Sequence, residues 1–189
     1  MRLQTRPQAP GELTIGTNAG EVLAMVDELE EVTYGGTDLR GHALRCADLA
    51  SRAGADDELV VATLLHDVGR ARYLAKGAPG VPHEEVGRRF VEERFGARAG
   101  WLVAQHVIAK RYLATVDDDY IDGLHRSAKS ALRRQGGRLS AKQVAKFEAS
   151  EWAGDAVALR RWDDAALHGE GTIPDTGTLH RHLDEAWKH

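Results

Sequence analysis

The sequence predicts an all-α fold. Apolar residues recur at steps of three and four along most of the chain, no segment alternates apolar with polar residues as a half-buried strand would, and glycines, prolines and capping residues separate the periodic runs. With 189 residues and 42% hydrophobic content, there is enough apolar side chain for one well-buried core and too little for two.

Residues 1–19 mix Pro, Gly, Thr and Asn without periodicity and are expected to form a flexible N-terminal arm. Val22, Met25, Val26, Leu29 and Val32 line one face of a first helix that ends before Tyr34-Gly35-Gly36. Leu39, Ala43, Cys46, Ala47 and Ala50 specify a second helix, stopped at Gly54. Asp56 or Asp57 caps a third, whose Leu59, Val60, Ala62, Leu64 and Leu65 are apolar nearly all round, as in a central helix. The loop Gly77-Ala78-Pro79-Gly80-Val81-Pro82 precedes helices over about 83–95 and 97–112. Further helices are expected over 117–124, 127–134, 140–147 and 151–164, the third of these opened by a Ser140/Gln143 capping box. Residues 169–177 read as a loop before a short C-terminal helix, and no strand is expected.

Charge and cysteine usage narrow the function classes. The 25 basic residues are outnumbered by 29 acidic ones, for a net charge of −4, which argues against a nucleic-acid partner held by phosphate neutralisation. Cys46 is the sole cysteine, so no internal disulfide and no cysteine-based zinc site can form, in keeping with a reducing cytoplasm. The opening residues lack an apolar signal core and no run reaches the length that spans a bilayer, so no membrane association is expected.

His66-Asp67 stands out because it follows Leu64-Leu65 and precedes Val68-Gly69. A polar doublet in so apolar a helix needs compensation, and a metal ion supplies it. Four more residues of ligand type, His42, His83, His106 and Asp163, lie where separate helices could bring them together. Imidazole and carboxylate suit iron, zinc, manganese or nickel. Six ligands exceed what one tetrahedral ion needs and suggest a pair of ions, with Asp67 bridging, His42, His66 and Asp163 around one and His83 and His106 on the other. Asp164 is the alternative to Asp163 if the helical register differs by one. His168, His180, His182 and His189 fall in a polar tail and carry no expected role. Lys110 lies four residues after His106 and Arg160 three before Asp163, so both cations share a face with a proposed ligand.

The order His42, His66-Asp67, Asp163 resembles the pattern of the HD-domain superfamily. Further segments match a narrower branch: Tyr34-Gly35-Gly36, His83-Glu84-Glu85-Val86-Gly87, the run from His106 through Lys110 to Leu113, Gln135-Gly136-Gly137, and Leu159-Arg160-Arg161-Trp162-Asp163-Asp164. From about residue 20 to 168 the chain is similar to the HD-domain mixed-valence di-iron oxygenases that cleave the carbon–phosphorus bond of 1-hydroxyphosphonates, relatives of myo-inositol oxygenase. The resemblance implies two iron ions, Fe(II)/Fe(III), with the substrate's hydroxyl and a phosphonate oxygen on the ferric ion. It implies O2 at the ferrous ion, hydrogen abstraction from the hydroxyl-bearing carbon, and release of inorganic phosphate. By motif position Lys110, Ser127, Gln135 and Arg160 would hold the phosphonate, and Tyr34 matches a tyrosine that occupies an iron position until substrate displaces it.

Two positions depart from the family's enzymes that act on an aminated hydroxyphosphonate. Thr37, followed by Asp38, stands where they carry an acidic residue, and Arg70 replaces a histidine three residues after the doublet's aspartate. Arg70 is therefore expected to contact substrate and to favour a smaller or more anionic phosphonate. The competing readings are a metal-dependent HD phosphohydrolase acting on a nucleotide or other phosphate ester, and a non-catalytic module that keeps its metal for stability. The protein is expected to be a monomer or a homodimer joined through the first helix.

Overall fold

Asn18 opens the first helix. Its side chain accepts the backbone N–H of Glu21, and α1 (Ala19–Asp27) buries Val22, Met25 and Val26. The computed structural model describes residues 18–34 and 36–188, so most of the arm expected over 1–19 lies outside the described residues, as do Gly35 and His189. The single helix expected through Val32 breaks instead into a 3-10 turn over Glu28–Glu31. Acidic side chains at 28, 30 and 31 oppose the negative end of a helix dipole and weaken its continuation.

The expectation of no strand is also corrected. β1 (Thr33–Tyr34) pairs antiparallel with β2 (Thr37–Asp38), and Gly36 turns between them at φ +92°. Strands this short cannot display the alternation that would betray them in a sequence.

Asp38 ends β2 and caps α2 (Leu39–Arg52) by accepting the Gly41 N–H, and Asp56 does the same for α3 (Asp57–Leu64) through Leu59. The helix stops before the doublet. His66-Asp67 lies in a turn that leads to a 3-10 segment over Val68–Arg70, not on the helix where the apolar run placed it. A short helix the sequence did not announce, α4 (Arg72–Gly77), follows.

The remaining helices are α5 (His83–Phe95), α6 (Ala97–Val116), α7 (Tyr120–Gly123), α8 (Arg126–Arg134), α9 (Ala141–Glu148), α10 (Ala153–Leu167) and α11 (Thr176–Ala186). Helix α6 outruns its expected end at 112, and α7 is shorter than expected. The capping box at Ser140 and Gln143 forms as expected.

Helix α6 packs on α5, α10 and α3, while α2 joins α3 and α10. Leu64, Leu65, Leu102 and Leu159 are fully buried where these helices meet, each contributing about 1.5–3 kcal/mol. A smaller cluster of Ala114, Leu124, Ala128, Leu132 and Leu167 anchors α8 to the ends of α6 and α10. Helix α11 docks on α3. This buries His182, expected in a polar tail, between Ser51 (3.2 Å) and Asp57 (2.5 Å). Among the described residues no helix is long and apolar enough to cross a membrane.

Candidate metal centre

The turn that carries His66-Asp67 is pressed onto the start of α5. A Cβ on Gly69 would stand 2.0 Å from the His83 carbonyl oxygen, and one on Gly87 would stand 3.0 Å from Val103 Cγ1. Glycine at both positions lets this turn, α5 and α6 approach until Asp67 reaches the imidazoles of the two helices.

The six residues expected as ligands come together as two adjacent groups. His42 from α2, His66 from the turn and Asp163 from α10 form one; Asp67, His83 from α5 and His106 from α6 form the other, with the donor atoms of each group within 4.8 Å of one another. Asp67 faces both. Its Oδ2 is 3.7 Å from His66 Nε2, and its Oδ1 is 3.0 Å from His83 Nε2 and 3.9 Å from His106 Nε2. Asp163 places Oδ1 3.0 Å from His42 Nε2 and Oδ2 3.7 Å from His66 Nε2.

The hydrogen bonds behind the rings fix their tautomers. His66 Nδ1 lies 2.8 Å from the Thr63 carbonyl and His106 Nδ1 2.7 Å from the Val103 carbonyl. A carbonyl only accepts, so each Nδ1 donates and each neutral ring turns an Nε2 lone pair inward. The inward nitrogen of His66 is buried without any hydrogen-bond partner, an orphan atom that a metal ion would satisfy. His83 donates Nδ1–H to the Glu84 carboxylate at 2.9 Å, and its Nε2 stands 3.3 Å from that of His106.

Electrostatics put most of these groups in ligand form. Burial lowers the His66 pKa, and burial with neighbouring His66 and His83 pushes His106 down to about 3. Burial works against ionisation of Asp67 and Asp163, but Arg70 and the imidazoles hold the first well below the usual carboxylate range, and Arg160 and His66 do the same for the second. His42 and His83 are the exceptions: burial pulls both down, yet Cys46 and Asp163 leave His42 well raised, and hydrogen bonds to Asp67 and Glu84 leave His83 raised. A proton on either Nε2 would share the position a metal cation would take. The donor set thus fits divalent or trivalent metal ions.

Beside the two groups lies a cavity of about 20 Å³, room for about one water-sized body. Tyr34, Arg70, Lys110, Gln135 and Arg160 line it with the ligands. Lys110 is 4% exposed and has no ion-pair partner within 4 Å among the described residues; burial, then Arg160, lowers its pKa to about 8. Arg160 is held by Asp163 at 2.5 Å and by both oxygens of Asp164. Gln135 ends α8 ahead of the Gly136-Gly137 turn, with Oε1 buried and unpartnered. The Tyr34 hydroxyl donates to the Ser127 carbonyl at 2.9 Å. Ser127 does not line the cavity; its own hydroxyl is 2.7 Å from His125 Nδ1.

Three supporting residues, Asp164, Tyr120 and Glu84, escaped the sequence argument. Asp164, weighed there only as a substitute ligand, clamps Arg160 and accepts from Tyr120 at 2.5 Å. Its position four residues after Arg160 was the available signal. Glu84 orients His83 from the adjacent position, for which no spacing rule exists.

The HD domain family matches residues 39–147. The chain is 34% identical over 157 residues to the hydroxymethylphosphonate dioxygenase of Gimesia maris, covering 78% of this chain and 77% of that one. It is 31% identical over 139 residues to the glycine-betaine-forming 1-hydroxy-2-(trimethylamino)ethylphosphonate dioxygenase of Leisingera caerulea, covering 71% of each.

Proposed function

The chain belongs to the HD-domain family, and on that footing we propose that it is a metal-dependent oxygenase that uses O2 to cleave the carbon–phosphorus bond of a small 1-hydroxyphosphonate, releasing inorganic phosphate. The observation that carries this reading is the meeting of two ligand groups across Asp67 beside a cavity lined by Lys110 and Arg160. Paired ligand groups next to buried cations suit a substrate that offers both a chelating hydroxyl and a dianionic phosphonate.

His42, His66 and Asp163 would hold one iron and His83 and His106 the other, with Asp67 between them. When bound, an Fe(II)/Fe(III) pair supplies Lewis acidity toward the substrate oxygens and electrons for O2 reduction. The polypeptide supplies position. Lys110 and Arg160 would pair with the phosphonate oxygens, and Asp164 together with Asp163 holds the Arg160 guanidinium by hydrogen bonds. The Gln135 amide, whose oxygen has no partner, would add a polar contact. Ser127 would act through its carbonyl, which holds the Tyr34 hydroxyl. Thr63 and Val103 keep two imidazoles in the ligating tautomer.

For hydroxymethylphosphonate the balance is one O2 consumed for each phosphate and formate released. Protein loaded anaerobically with Fe(II) should release phosphate from this compound only after O2 is admitted, in that ratio. Hydrolysis of a phosphate ester under nitrogen with manganese, and no phosphate from the hydroxyphosphonate, would assign the chain to hydrolase chemistry instead.

A further inference from the structure

Building on the phosphonate reading above, we propose that Arg70 determines specificity: the site selects 1-hydroxyphosphonates whose substituent is absent or anionic and rejects those that carry an ammonium group. The two relatives act, by their names, on an unsubstituted hydroxyphosphonate and on a trimethylamino one, and the chain is 34% and 31% identical to them. Overall similarity does not decide between the two substrates. Charge around the cavity does.

An ammonium group needs a carboxylate or an aromatic face to replace the water it loses. The only acids lining the cavity among the described residues are Asp67 and Asp163, and both belong to the ligand groups. The nearby acids are committed as well. Asp38 caps α2 through the Gly41 N–H, Glu84 holds His83, and Asp164 holds Arg160. Among the described residues Tyr34 is the one phenyl-type ring on the cavity wall, and the Arg70 guanidinium already lies over it, 5.9 Å from the ring centre.

Arg70 itself bonds through Nε to Asp67 Oδ1 at 2.8 Å and approaches His83 Nε2 at 3.1 Å. In the neutral His83 ring, whose Nδ1 hydrogen goes to Glu84, Nε2 has one lone pair to offer. A metal ion bound to that nitrogen takes the lone pair, and the guanidinium must aim its terminal hydrogens elsewhere. The polar space beside it is the cavity. Arg70 then joins Lys110 and Arg160 as a cation facing substrate, and its carboxylate partner, Asp67, is shared with the ligand groups.

The test compares kcat/KM for phosphate release by the iron-loaded enzyme on hydroxymethylphosphonate, 2-amino-1-hydroxyethylphosphonate and 2-hydroxy-2-phosphonoacetate, with wild type, Arg70→Gln and Arg70→Lys. Calorimetric binding of the same compounds under nitrogen gives a readout independent of turnover. The wild type should prefer hydroxymethylphosphonate to the amine by about 100-fold or more, as like charges placed together in an enclosed site require, and should accept the carboxylated compound. Arg70→Gln should narrow the preference over the amine at least tenfold, chiefly through KM and binding, while Arg70→Lys keeps it. Equal or better use of the amine by the wild type overturns the proposal with no variant needed, and so does an unchanged preference in folded Arg70→Gln. Iron-loaded enzyme that releases phosphate from none of the compounds overturns the phosphonate reading itself.

Discussion

The Nε2 atoms of His83 and His106 face each other at 3.3 Å. The Nδ1 atoms of both rings are committed, to Glu84 and to the Val103 carbonyl, so two neutral rings would set lone pair against lone pair. A cation between them removes the repulsion. Metal should therefore stabilise the fold strongly. Anaerobic Fe(II) at about 1,000 times its Kd should add about 4 kcal/mol, a rise in Tm of about 8–16 °C for a chain of this size. Calorimetry checks this, and His83→Ala should show less than half the rise.

Gly69→Ala should disrupt the site from outside it. Its Cβ would meet the His83 carbonyl oxygen at 2.0 Å, backbone that cannot swing aside. We expect a loss of about 1–3 kcal/mol in urea denaturation, as overpacking typically gives, with weakened metal binding because α5 must move away from Asp67. Full stability and full metal content would show that the turn and α5 have more freedom than this packing allows.

Asp163 and Asp164 should separate by phenotype. Asp164 touches Arg160 and Tyr120 but belongs to neither ligand group. Asp164→Asn should keep its iron and raise KM for hydroxymethylphosphonate about tenfold, equivalent to about 1.4 kcal/mol. Asp163→Asn should lose iron. Metal analysis beside steady-state kinetics distinguishes them, and iron loss in Asp164→Asn alone would reverse the assignment.

Activity should fall on the alkaline side through Lys110. Burial and the neighbouring Arg160 lower its pKa to about 8, so the ammonium that would meet the phosphonate is present below that pH and lost above it. kcat/KM for hydroxymethylphosphonate should decline as pH rises through about 8, and Lys110→Arg, charged throughout, should lack that limb. A profile unchanged in Lys110→Arg would mean that another group sets it.

The helical class and the site's main side chains were legible because helix periodicity and ligand residue types are both written locally. His42, His106, Lys110, Arg160 and Asp163 sit on helices that the spacing located, so their shared faces followed from it. What lay beyond the sequence argument depends on contacts between segments. The doublet's departure from α3 is tied to the close approach of Gly69 to His83, and the Tyr120 hydroxyl reaches Asp164 only because α7 is brought against α10. Burial of His182 depends on α11 docking against α3, which no local pattern in a polar tail announces.

Iron quantitation with electron paramagnetic resonance, on protein reconstituted anaerobically and partly oxidised, tests the paired-ion centre most directly. The arrangement around Asp67 predicts two irons per chain and a spin-coupled mixed-valence signal that Asp67→Ala abolishes. One iron per chain, or only an isolated ferric signal in the wild type, would contradict it.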